Sequence, residues 1–349
     1  MLRRLPLLLL CPLLLAPLGC DSAQSPSPHG GAGAGGAGGA GGYGGGEGGA
    51  EAIAPVPTVR LDALVIQPGG GRDFLLDALE SATASVRVVS WILTDDVIED
   101  ALVATAARGI DVRAIVPADP VNEEAREKLA RGGVLLDEGN PAFALTHEKA
   151  VVVDDDLAFV LNQNLSYSGF EWNREYNAVI TGKPARDVAA IFDADWERRA
   201  FAEPTDLVVS PSNARSRLET LLQAATESID IAMEVMNDGR TIDLVAAKAT
   251  EGLVVRVLLE DPAAVEDNAQ TAQRLQQAGV QVRWLASPDL HAKAVVIDGR
   301  FAYVGSVNFT WSSLSRNREL GLVTADGEAV ARILSTFDGD FAKGRTDFR

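Results

Sequence analysis

The sequence predicts an α/β fold of two duplicated halves, each a mixed β-sheet flanked by helices. A pseudo-twofold axis would relate them, with the candidate site at their interface. Two observations carry this prediction. The first is an internal match in register. Pro68 pairs with Pro211, Leu75 with Leu218, Leu79 with Leu222 and Ala82 with Ala225, all at an offset of 143. Ser85, Gly109, Val112 and Arg113 pair likewise with Ser228, Gly252, Val255 and Arg256. One inserted residue moves the offset to 144, where Asn164 meets Asn308 and Asn173-Arg174-Glu175 meets Asn317-Arg318-Glu319. A repeat of about 145 residues far exceeds a solenoid unit and fits two domain-sized halves. The second observation is the alternation of helical and strand periodicity in both copies.

In the first copy Phe74, Leu75, Ala78, Leu79 and Ala82 fall at helical spacing. Val86 to Leu93 is an apolar run of strand length. Ile98 to Ala107 returns to helical spacing, Gly109 is a helix stop, and Val112 to Val116 is strand-like. The second copy repeats this with Leu218 to Ala225, Ile229 to Val235, Ile242 to Ala249 and Val254 to Leu259. Apolar strands between amphipathic helices predict sheets buried on both faces. Further on, Ala150 to Val153 and Ala158 to Leu161 flank an Asp154-Asp155-Asp156 turn. Ala294 to Ile297 and Phe301 to Val304 flank Asp298-Gly299, a strong hairpin signal.

Residues 1–19 read as an export signal of the lipoprotein type. Arg3 and Arg4 precede a leucine-rich stretch that Pro6, Pro12 and Pro17 break, too short to span a membrane. Leu18-Gly19-Cys20 resembles a lipoprotein cleavage site, which makes Cys20 the expected acylation point and the membrane anchor; simple secretion is the alternative. The expected place is the periplasmic or outer face of a bacterial envelope. Residues 20–57 form a tether in which fourteen of the twenty residues from 30 to 49 are glycine. Such a stretch buries too little apolar surface to offset its ordering entropy, and its flexible residues would span roughly 30–35 Å r.m.s.. Residues 58–202 and 203–349 make up the two halves.

Apart from Cys11 and Cys20 the chain has no cysteine, which excludes disulfides and thiolate metal ligands from the folded body. The formal charge is −18, and removing residues 1–19 with their two arginines leaves −20. Such acidity opposes broad nucleic-acid binding, which rests on neutralising phosphates.

Three histidines occur, and two begin the same pattern. His147-Glu148-Lys149 is followed four residues later by Asp154, and His291-Ala292-Lys293 by Asp298. His29 lies in the glycine-rich stretch. Imidazole titrates near neutrality and serves as nucleophile, acid or base. Strand side chains alternate, so the His and Lys of each triplet face the same way. Two imidazoles flanking two ammonium groups suit a tetrahedral phosphate anion. A lysine two residues from each histidine repels a cation, so no metal and no cofactor is expected.

These residues resemble the phospholipase D superfamily, whose signature H-x-K-x4-D-x6-G-S-x-N stands once in each half. The second copy is complete in His291, Lys293, Asp298, Gly305, Ser306 and Asn308. The first keeps His147, Lys149, Asp154 and Asn164 but reads Leu161-Asn162 for Gly-Ser, so a leucine could crowd the phosphate. Glu175 and Glu319 each lie 28 residues beyond their histidine, where the family carries an orienting acid. The resemblance covers residues 58 to 349. It implies phosphodiester cleavage through a phosphohistidine, one imidazole attacking and the other protonating the leaving oxygen. Lys149, Lys293, Asn164, Asn308, Ser306 and Asn162 would hold phosphate oxygens, and Glu175 and Glu319 would orient the rings. Asp154 and Asp298 belong to the same signature, and their turn positions read as structural. Asn173-Arg174 and Asn317-Arg318 fit site or surface equally. Trp91, Trp172, Trp284 and Trp311 fit core or substrate wall.

The expected reaction is phospholipase D hydrolysis of a phosphatidylcholine-like lipid to phosphatidate. The expected partners are phospholipid and the membrane, nucleic acid is the less favoured partner, and the protein is expected to be a monomer. The alternatives are phosphatidyl transfer of the cardiolipin synthase kind, an exported nuclease, and a non-catalytic phosphate-binding module.

Overall fold

The computed structural model describes residues 54–201 and 205–347. The expected export segment, Cys20 and nearly all of the expected tether lie outside the described residues, as does the expected junction between halves at 202–203. Among the described residues no helix is long and apolar enough to cross a membrane.

Both halves run through the same elements. The first comprises β1 (Ala63–Gln67), α1 (Asp73–Ser81), β2 (Ser85–Val89), α2 (Asp96–Ala107), β3 (Asp111–Ile115), α3 (Glu123–Arg131) and β4 (Leu135–Asp137). It continues with β5 (Ala150–Val153), β6 (Leu157–Val160), α4 (Tyr167–Glu171), β7 (Asn173–Thr181) and α5 (Lys183–Trp196). The second comprises β8 (Val208–Ser210), α6 (Ala214–Ala224), β9 (Ser228–Met233), α7 (Gly239–Thr250), β10 (Val254–Glu260), α8 (Asp267–Gln277) and β11 (Gln281–Leu285). Then follow β12 (Asp289–Leu290), β13 (Lys293–Ile297), β14 (Phe301–Gly305), α9 (Trp311–Ser315), β15 (Glu319–Thr324) and α10 (Gly327–Lys343).

Each half builds one mixed sheet. The order is β1-β7-β6-β5-β2-β3-β4 in the first and β11-β10-β9-β13-β14-β15-β8 in the second. The parallel strands β2-β3-β4 and β9-β10-β11 are linked by helices, and the hairpins β5-β6 and β13-β14 close the antiparallel side. Alternation sorts each hairpin strand between two apolar layers. Ala150 and Val152 of β5 join Ala294 and Val296 of β13 in a central core with α5 and α10, including Phe192 and Phe337. Val151 and Val153 face the outer layer under α1, α2 and α3. Val295 and Ile297 face the matching layer under α6, α7 and α8. Burial on both faces explains why these strands read as unbroken apolar runs.

Two predicted strands end early. The run from Val86 stops pairing at Val89, and the run from Ile229 stops at Met233. Beyond these points the regular ladder gives way to single backbone bonds, from Ser90 N–H to the Ile115 carbonyl and from Glu234 N–H to the Ala292 carbonyl.

Asp154 and Asp298 sit at the far ends of β5 and β13 from the lysines and are clips, not cleft residues. Asp154 accepts bonds from the backbone N–H groups of Thr83, Ala84 and Ser85 and from the Thr83 hydroxyl, at 2.8–2.9 Å. Asp298 does the same for Thr226, Glu227 and Ser228. Each aspartate thus ties its hairpin turn to the start of the neighbouring parallel strand, at positive φ of 49° and 52°. Burial raises the Asp154 pKa, but these donors outweigh it and bring it to about 2 from 3.8. Its stabilisation is present above pH 3.8 and is lost as pH falls through the folded value. Asp154→Ala should lower the unfolding free energy by about 2 kcal/mol at pH 7, read by urea titration. An unchanged midpoint would show that the clip carries no stability.

Candidate active site

The segments leading into β5 and β13 each cross to the opposite half. Thr146 forms a parallel bridge with Arg318, and the N–H groups of His147 and Glu148 both donate to the Arg318 carbonyl at 2.9 Å. In mirror fashion β12, just before His291, pairs in parallel with Asn173 and Arg174 at the start of β7. Each histidine therefore lies beside the strand that opens on the other half's glutamate.

The reactive pairs form across the interface as a result. His147 Nδ1 lies 2.9 Å from Glu319 Oε2 and 3.1 Å from its Oε1. His291 Nδ1 lies 2.7 Å from Glu175 Oε1. The spacing of 28 residues associates each glutamate with the histidine of its own copy; the structure exchanges them. Both carboxylates are fully buried, whereas the rings keep 16% and 17% exposure and reach the cleft. With Nδ1 committed to a carboxylate, the Nε2 edge is the one that faces outward.

Lys149 and Lys293 are fully buried beside the rings. Their Nζ atoms donate to the carbonyls of His147 at 2.6 Å and His291 at 2.5 Å. Burial pushes Lys149 down to about 7, against the pull of Glu319. Burial also lowers His147, again against Glu319, so its neutral form is favoured. Glu319 itself is drawn below its usual value: burial raises it, but His147, Lys149 and the Ser306 hydroxyl prevail.

The supporting residues divide unevenly. Ser306 Oγ donates to Glu319 Oε2 at 2.6 Å, so it holds the acid behind His147. Asn317 Nδ2 donates to Glu319 at 3.1 Å, and Asn173 Nδ2 to Glu175 at 3.2 Å. Asn162, expected on the phosphate, is fully buried and stitches the halves instead. It accepts from Tyr176 N at 3.0 Å and Lys293 N at 3.3 Å and donates to the Gly305 carbonyl. Asn164 and Asn308 each fix the amide oxygen on a backbone N–H, of Ile92 and Val235. The Asn308 amide nitrogen then reaches into the cleft.

Leu161 does not crowd the phosphate site. It is buried in the outer core of the first half with Leu93, Leu165 and Phe170. At the matched place Gly305 allows close approach: a Cβ there would stand 2.3 Å from Gly321 Cα and 2.7 Å from the Tyr303 hydroxyl. The two halves fill this space differently, one with leucine and the other with a tyrosine ring.

Arg174 and Arg318 are braces between halves. Arg174 pairs with Asp340 at 2.5 Å and Arg318 with Asp195 at 2.7 Å, both reaching the helix that ends the other half. Glu148 is fully buried, with Asp195 and Arg318 as its charged neighbours. Trp284 is core, while Trp172 and Trp311 are more than half exposed. Trp91 tilts against the His147 ring at 6.3 Å between centroids. It lines an adjoining cleft of about 360 Å³ with Pro117, Asn140, Phe143, Leu145 and Thr146.

One site residue is absent from the sequence motifs. Glu234 Oε2 lies 2.7 Å from Lys293 Nζ, 3.2 Å from Asn308 Nδ2 and 3.6 Å from His291 Nε2. Burial raises its pKa, but His291 and Lys293 outweigh that and draw it below the usual carboxylate range. A carboxylate inside the apolar run Met233-Glu234-Val235-Met236 is the signal that could have found it.

A family model described as "Cardiolipin synthase, PLD-like domain" matches residues 75–196 and again 218–341. A cardiolipin synthase 1 of Bacillus anthracis is 25% identical over 323 residues, which cover 76% of this chain and 64% of that protein. This chain thus spans less than two thirds of that relative. A mitochondrial cardiolipin hydrolase of Homo sapiens is 32% identical over 130 residues, 36% of this chain and 50% of its own. The phosphatidylserine synthase structure of Haemophilus influenzae shares the fold, with a TM-score of 0.61 at 14% identity. The match covers 83% of this chain and 91% of that one.

The Glu148 carboxyl supplies a test of the interface. Burial and the neighbouring Asp195 charge raise its pKa above 4.5, and Arg318 opposes them. The folded state then holds a proton that the unfolded state releases, so the stability it confers is lost as pH rises through the folded value. The slope is at most about 1.4 kcal/mol per pH unit. Glu148→Gln should melt with the parent near pH 5 and above it at pH 9. Equal melting temperatures at both would show that the carboxyl titrates normally.

Proposed function

The chain belongs to the phospholipase D superfamily, and we propose that it cleaves a phospholipid phosphodiester through a phosphohistidine and transfers the phosphatidyl group to an alcohol. The observation that carries the chemistry is the pair of cross-half His–Glu contacts, converging with two buried lysines. The relatives favour transfer over the hydrolysis of a choline-like lipid that the sequence led us to expect. Hydrolysis stays as the second reading, since a hydrolase also stands among the relatives.

In this reading His147 attacks. Burial keeps it neutral, and Glu319 holds Nδ1, leaving the Nε2 lone pair for phosphorus. His291, held at Nδ1 by Glu175 and with Nε2 on the side of Glu234, is the ring that passes the proton. The P–N bond forms as the head-group P–O bond breaks, and the His291 proton goes to the departing oxygen. His291 then takes the proton of an incoming hydroxyl, whose oxygen bonds phosphorus as the P–N electrons return to His147. Lys149, Lys293 and the Asn308 amide would stabilise the charge building on the non-bridging oxygens. The cleft beside Trp91, walled in part by Phe143 and Leu145 and bordered by Asp119 and Glu138, would take the diacylglycerol side, which stays on the attacking histidine.

A Cys20 lipid anchor would hold this site at a membrane surface, where the substrate is.

Vesicles of phosphatidylglycerol and of phosphatidylcholine, with supercoiled plasmid alongside, test the proposal by mass spectrometry of products. We expect cardiolipin and glycerol from phosphatidylglycerol, and at least about 10³-fold loss in His147→Ala and His291→Ala. Phosphatidate as sole product would replace transfer by hydrolysis, and plasmid nicking without lipid turnover would replace both. On the alkaline side kcat/KM should fall as pH rises through about 7, because Lys149 loses its charge there. A flat profile from pH 6 to 9 would remove that lysine from phosphate binding.

A further inference from the structure

The two halves differ most at one matched pair of positions. Trp91 in the first half corresponds to Glu234 in the second, at the same offset of 143 as the flanking strands. One flank of the cleft therefore carries an indole and the other a carboxylate.

The place of that carboxylate is informative. Its Oε2 takes up Lys293 Nζ, Asn308 Nδ2 and the Nε2 edge of His291. These are donors that the proposed function assigns to phosphate and leaving oxygens. A carboxylate oxygen thus stands where a phosphoryl oxygen would be held. Folding alone does not require it, because Lys149, at the matched position, is satisfied by the His147 carbonyl with an indole nearby. Glu234 is also partly exposed, unlike Glu175 and Glu319, so its side chain has room to yield.

Resting on that functional reading, we propose that Glu234 is an internal anion that makes the site select singly charged phosphodiesters over doubly charged phosphomonoesters. Any phosphate must displace Oε2 from the donors and then sit beside the displaced charge. A diester brings one negative charge to this encounter and a monoester dianion brings two. An extra unit charge a few ångströms away costs enough, even when well screened, to shift relative affinity about tenfold. Transfer yields another diester, whereas hydrolysis yields a monoester, so the same carboxylate would speed the release of a hydrolytic product. The charged groups around Glu234 are His291, Lys293, His147, Lys149 and, from the end of β10, Glu260.

The test is the affinity ratio of methyl phosphate to dimethyl phosphate, measured calorimetrically on the full chain between pH 5 and 8. Losing the Lys149 charge weakens a dianion more than a monoanion, so the carboxylate is isolated by comparing parent and Glu234→Gln at the same pH. Methyl phosphate becomes a dianion with a pKa near 6, by analogy with other phosphomonoesters. In the parent the ratio should fall as pH rises through that value. In Glu234→Gln, of the same shape and confirmed folded by its melting curve, the ratio at pH 8 should rise about tenfold over the parent. A parent ratio that rises with pH, or a variant ratio equal to the parent's, would overturn the proposal. Binding is read without turnover, so failure to cleave lipid would sink the functional reading and leave this one standing or falling on its own ratio.

Discussion

Everything in this molecule depends on two short segments pairing with strands of the opposite half. Backbone groups in a buried interface must find partners. Those before His147 find Arg318, and those before His291 find Asn173 and Arg174. That exchange sets each ring against a carboxylate it could never reach within its own half. The same exchange brings Arg318 to Asp195 and Arg174 to Asp340, so each buried guanidinium meets its counter-charge. The contacts that prepare the imidazoles are thus also among those that hold the halves together, beside the shared apolar core.

A symmetric frame holds unsymmetric contents. In the proposed displacement one ring attacks while the other carries the proton, first to the departing oxygen and then from the incoming one. Differing surroundings would help matched rings divide these tasks. The differences are Trp91 against Glu234, Asn162 against Ser306, and Leu161 against Gly305. The first alters charge within the cleft. The other two lie behind it, where Ser306 holds Glu319 and Asn162 ties β7 to Lys293 of the other half.

Much of this was legible in the sequence, and the omissions have a physical pattern. Periodicity marks what a segment buries, so the helices and hairpins emerged nearly in place, and the twin His and Lys positions were evident from spacing. Spacing along the chain says nothing of which copy a strand will lie beside, so the glutamates were linked to the wrong rings. A leucine in a phosphate signature looks like an obstruction until its side chain is known to point into the core, as Leu161 does. Asn162 looked like a ligand for the same reason, since polarity does not reveal direction. Glu234 belonged to no motif, and its only sign was an acid within an apolar run.

The crossed pairing also bears on how such a chain can change over generations. After a gene segment doubles, one copy ordinarily drifts while its sibling keeps the trade. Here a lost Glu175 disarms His291, and a lost Glu319 disarms His147, so damage to either copy is felt at once in its twin. Neither can drift freely at its glutamate, whereas Trp91 and Glu234, which the crossing leaves alone, are free to differ.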